Sequence, residues 1–88
     1  LTLELFLPDN RSLKGKRQIL NHLKDQVRNR FNVSVAEVGE NDLWQRCRLG
    51  VVIVSNERAF ADQVLSKVVS FVAEDRRAVL LDYQLEIK

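Results

Sequence analysis

Eighty-eight residues, 45% of them hydrophobic, suffice for one compact core and leave no room for a second domain with its own active site. A single cysteine excludes an internal disulfide framework and a multi-cysteine zinc site and fits a reducing cytoplasm, while no apolar run approaches the roughly 20 residues of a membrane span and no signal-peptide pattern opens the chain. The net charge is only +2, yet residues 11–30 hold seven bases against the single acid Asp25, so the rest of the chain is acidic overall.

In chain order, Leu1, Leu3, Leu5 and Leu7 alternate with Thr2, Glu4 and Phe6, the period of a half-buried strand that Pro8 ends. Asp9 and Asn10 supply turn chemistry, and Ser12 is placed to cap a helix from Leu13 to about Arg30. Ile19, Leu20, Leu23 and Val27 give that helix one buried face. Residues 31–39 (FNVSVAEVG) read as a second, β-branched strand. A polar turn over residues 39–42 leads to a third strand from about Gln45 to Ser55, with Cys47, Leu49, Val51 and Ile53 on one face. Ser55 or Asn56 can cap a second helix over residues 57–74, whose apolar set from Phe60 to Val72 spans nearly half the wheel. Val79, Leu81, Tyr83, Leu85 and Ile87 alternate along a last strand, which makes Tyr83 a core residue.

The order β-α-β-β-α-β predicts a single ferredoxin-like α+β domain over residues 1–88. Right-handed crossovers put both helices on one face of a four-stranded antiparallel sheet, with the first and third strands central. The other sheet face then carries Thr2, Glu4 and Phe6, Arg46, Arg48, Gly50, Val52 and Val54, and Ser34, Ala36 and Val38.

The first helix carries the strongest functional signal. At 100° per residue, Lys14, Arg17, Lys24 and Arg28 fall within an arc of roughly 80° that borders the buried face. One-sided basic charge is the footprint of a polyanionic partner, although a solvated helix face is the plain alternative. Lys14, Lys16 and Arg17 crowd the helix N-terminus, where the dipole and free N–H groups favour anions, and Gly15 leaves room for a ligand to approach the backbone. Lys16 falls inside the apolar arc, so it is either a phosphate contact or a lysine snorkelling from the core.

An RNA-recognition motif stacks bases on aromatics of its central strands, and here only Phe6 qualifies. The helix stripe is therefore the better RNA surface, contacting phosphates rather than base edges. Arg46 and Arg48 extend the basic surface across the open sheet face or pair with Glu4 or Glu37. Trp44 is expected to cap one end of the core, with an exposed stacking platform or interface anchor as the alternative. His22 has no second ligand at metal spacing, so no metal site is expected. There is no nucleophile elbow, Walker sequence or Cys/His pairing, so neither catalytic residues nor a cofactor are expected.

The blocks Ser12–Arg17 (SLKGKR), Arg30–Glu37 (RFNVSVAE), Asp42–Gln45 (DLWQ) and Val54–Asn56 (VSN) together resemble the YlxP-like family of small bacterial proteins of unknown function. The resemblance spans nearly the whole chain and implies a ferredoxin-like fold. Through the family's usual gene neighbourhood, beside translation-initiation and ribosome-maturation factors, it also implies a link to RNA or ribosome assembly. Two functions follow as expectations. One is a non-catalytic RNA- or ribosomal-subunit-binding module that uses Lys14, Lys16, Arg17, Lys24 and Arg28. The other is an interaction protein that forms a homodimer or binds a protein partner, through the edge of the second strand or the open sheet face.

Overall fold

The computed structural model describes residues 1–88, with β1 (Thr2–Phe6), α1 (Leu13–Arg30), β2 (Ser34–Gly39), β3 (Arg46–Val52), α2 (Arg58–Ala73) and β4 (Val79–Gln84) in chain order. The strands form one antiparallel sheet in the order β2-β3-β1-β4. This is the ferredoxin-like arrangement, with both helices against one face. The core lies between them and the sheet: Leu3 and Leu5 of β1 and Cys47, Leu49 and Val51 of β3 meet Leu20, Leu23 and Val27 of α1 and Leu65, Val68 and Val72 of α2. No helix is long and apolar enough to cross a membrane.

α1 starts and stops where its chemistry dictates. Ser12 is the N-cap, its hydroxyl accepting from the Gly15 N–H at 3.0 Å, and Phe31 ends the helix in extended backbone while its N–H donates to Val27 O at 2.9 Å. Phe31 therefore closes the helix instead of opening β2, which begins three residues later at Ser34. In α2 the N-cap is Glu57 without a side-chain bond; the expected cap Ser55 instead closes a tight turn, its hydroxyl accepting from the Glu57 N–H at 3.0 Å.

β4 departs from simple alternation. Its pairing with β1 shifts between Glu4 and Leu5, so Leu80 pairs with Leu5 and Asp82 with Glu4, leaving Leu81 as the extra residue of a bulge. The inward parity changes there. Leu80 takes the inward position opposite Leu5 and Val79 turns to the open face opposite Phe6; Tyr83 keeps its parity opposite Leu3, but on the edge strand it is 49% exposed and not the core residue that alternation made it.

Candidate nucleic-acid interface

The neighbours of α1 identify its two flanks. On one, Arg28 Nη2 donates to the Val35 carbonyl at 2.7 Å, so this flank overlooks the β2 edge. On the other, the Arg30 guanidinium lies 4.7 Å from the centre of the Phe71 ring, and Arg77 donates to Gln26 Oε1 at 3.3 Å and approaches His22 Nδ1 at 2.7 Å. That flank faces α2 and the α2–β4 turn. Lys14, Arg17, Lys24 and Arg28 share an arc of roughly 80° and therefore line the β2 side together. Lys14 and Arg17 are exposed, Lys24 is partly buried, and none of these three has an acidic partner within ion-pair distance.

Lys16 does not belong to this set. It is 2% exposed, its Nζ lies 2.7 Å from Glu37 Oε2 and donates to the Glu40 carbonyl at 2.7 Å. At that distance the ammonium and the carboxylate form a close, charge-assisted ion pair. A phosphate cannot reach the ammonium. The physical reason is its angle within the apolar arc, which turns the side chain inward, where Glu37 stands on the core-facing parity of β2 opposite Leu49.

Arg28 is divided between two uses, because one nitrogen holds Val35 O and the other lies 3.4 Å from Asp25 Oδ1. Arg48 is committed to Glu4 across the β1–β3 ladder, and Arg46 Nη2 stands 3.9 Å from Glu40 Oε1, too far for a firm bond. The middle of the open sheet face is thus neutralised, while its β2–β3 side remains apolar, with Val38 and Val52 more than half exposed and Val54, just past the end of β3, 95% exposed.

At the N-terminal end of α1, two loops are bolted together. Buried Asn10 donates from Nδ2 to Ser12 O at 2.8 Å and to Trp44 O at 2.6 Å; Gln45 Nε2 donates to Pro8 O at 3.0 Å and Asn10 O at 3.2 Å; the Leu7 N–H donates to Gln45 O at 2.8 Å. A Cβ on Gly15 would overlap Asn10 Oδ1, so this glycine admits the asparagine of its own chain and not a ligand, as its place in the sequence had suggested. Neither Asn10 nor Gln45 stands out in the sequence. Their signal is two amide side chains flanking the turns that join β1 to α1 and β2 to β3.

The same bolting explains Trp44. The indole is 56% exposed and does not cap the core, because its backbone is tied to the α1 side of the loop cluster by Asn10. Cys47 is fully buried, and burial first, then the nearby Glu37 carboxylate, pushes its thiol up to about 12. No group of three or more His, Cys, Asp or Glu side chains is arranged to hold a metal ion.

Residues 1–85 match the model of a family described as a protein of unknown function, DUF503. The uncharacterized protein YlxP of Bacillus subtilis (strain 168) is 39% identical over 69 residues, an alignment that covers 78% of this chain and 75% of that protein.

Proposed function

The chain belongs to the DUF503 family, and since that family's description assigns no activity we propose one from the chain's own surface: a non-catalytic module that binds RNA phosphates, alone or in a ribosomal subunit, along the β2-side flank of α1. One observation carries the reading. Lys14, Arg17 and Lys24 stand on one flank with no acidic partner, whereas Lys16 and Arg48 are each consumed by a glutamate. Unpaired cations on a rigid helix hold their charge ready for an external anion at no cost in broken ion pairs. Arg28 adds a guanidinium whose position is fixed by Val35 O. Such a surface tracks a phosphate backbone and does not read base edges.

Co-sedimentation with ribosomal subunits from a bacterial lysate, at low and high salt, tests this directly. Association is expected at low salt, lost at high salt, and lost at both in the R17E/K24E variant with its melting temperature unchanged. Full association of that variant would place the contact elsewhere.

A second reading, an interaction protein acting as a homodimer, draws support from exposed Val38 and Val52 on the open sheet face and from exposed Val54 just beyond β3. It is distinguished by a dimer whose sedimentation is indifferent to salt and to the α1 charges.

A further inference from the structure

We infer that Trp44 is a stacking platform for an unpaired base, so that single-stranded RNA gains on this surface a contact that a duplex cannot make; the inference rests on the phosphate-binding reading of α1. Three observations carry it.

The first is exposure without mobility. An indole 56% open to solvent commonly belongs to a loose loop, but here the backbone on both sides is fixed. Leu43 N–H donates to Glu40 O at 3.1 Å, Trp44 O accepts from Asn10 at 2.6 Å, and Gln45 is tied through backbone and side chain to Leu7, Pro8 and Asn10. An aromatic presented on a fixed backbone loses little freedom when a planar ligand settles on it.

The second is position. Asn10, whose side chain holds the Trp44 carbonyl, precedes Arg11 and presses against Gly15, so the Trp44 backbone is anchored at the end of α1 where exposed Arg11 and Lys14 begin the basic flank. Arg46, only weakly engaged with Glu40, follows two residues later. Cations and an exposed ring at one end of the domain match a nucleotide, whose phosphate needs charge and whose base needs a flat apolar face.

The third is what the rest of the surface lacks. The central strands offer only Phe6 as an aromatic on the open face, and Arg48 in the middle of that face is paired with Glu4. Of the aromatics that are about half exposed, Trp44, Phe60 and Tyr83, Trp44 is the one tied by a hydrogen bond to the loop that opens α1. A duplex keeps its bases stacked on each other and cannot use it; a single strand can.

Trp44 is the only tryptophan, so its emission reports on this residue alone. The test titrates the full chain with a short oligouridylate and, separately, with a blunt RNA duplex of equal length, following tryptophan emission and the anisotropy of end-labelled RNA together. Both RNAs are expected to bind by anisotropy, with emission quenched by the single strand and unchanged by the duplex. W44A should weaken single-strand binding by at least about fivefold, W44F by less, and neither should alter duplex binding. Single-strand binding with undiminished emission, or at full affinity in W44A, overturns the stacking role and leaves the phosphate reading intact. Failure of both RNAs to bind overturns both. The quenching measurement uses the unmodified chain and so does not depend on how well a variant folds.

Discussion

Lys16 and Glu37 form an ion pair with a nitrogen–oxygen distance of 2.7 Å inside the domain, the lysine 2% exposed and the glutamate side chain 22% exposed. The same ammonium holds the carbonyl of Glu40, a non-glycine residue in the left-handed region with φ of 60°. Lys16 thus ties α1 to the turn that leaves β2. Replacing it with methionine strands Glu37 and the Glu40 carbonyl, and K16M is expected to lose about 3 kcal/mol, the lower end for a broken buried pair because Glu37 keeps some water. Removing both charges in K16M/E37L should restore part of the loss. Urea melts of the three proteins decide it, and a K16M midpoint equal to wild type would show that the pair holds nothing together.

Gly15 and Asn10 should show a reversal of sign. Alanine in place of a helix-interior glycine ordinarily gains about 1 kcal/mol. Here the new Cβ displaces Asn10 and its bonds to Ser12 O and Trp44 O, at about 1 kcal/mol each, so G15A is expected to be destabilising by about 1 kcal/mol net. In an N10A background the obstacle is gone, and G15A should stabilise. The same sign in both backgrounds would refute the contact.

Salt dependence counts the phosphates. With Lys16 internal, the flank offers Lys14, Arg17 and Lys24 freely, which at about 0.7 to 0.9 per phosphate gives a log–log slope of about −2 to −3 for RNA affinity. All five bases acting together would give about −3.5 to −4.5. Binding isotherms at four or more salt concentrations separate the two, and K16M should leave the slope where it was.

Asp75 sets an acid limit. The Arg77 guanidinium bonded to it holds its carboxyl below the usual aspartate range, an effect only partly opposed by burial. A carboxyl depressed in the folded state contributes stability that is complete above its unfolded value and is lost as the pH falls through the folded one. The D75N variant should therefore melt lower than wild type at neutral pH, and the two curves should converge as the pH drops below about 4. A constant gap down to strong acid would assign the difference to packing.

Cys47 should be chemically silent. With its thiol raised to about 12 by burial, alkylation at mildly alkaline pH is expected only from opened molecules. Its labelling rate should follow global unfolding as urea is added, and fast labelling in native buffer would place the thiol at the surface.

The sequence was most legible where one periodicity ran unbroken. The leucines of β1 and the bounds of α1 stand where spacing and the Ser12 cap put them, because each depends on local geometry alone. It was least legible where a distant partner decides. Lys16 carried its warning, an apolar-arc position facing a glutamate of inward parity, but only the paired register joins the two. Val79 was turned to the open face, opposite Phe6, by one inserted residue, since alternation assumes no bulge, while Tyr83 kept its parity opposite Leu3 but lies on an edge strand. Trp44 followed its backbone, and that backbone answers to Asn10, 34 residues earlier.

Each outer strand of the sheet has one backbone group occupied by a side chain, the Val35 carbonyl by Arg28 and the Tyr83 N–H by Asp82 Oδ1 at 2.8 Å. Strand edges left open recruit other chains, so these two residues act as end-stops. Loss of either one would leave the monomer's core intact and add one open backbone group to its rim. Such a lesion would first be seen as precipitate in a concentrated cell extract, from a protein whose purified, dilute form still folds.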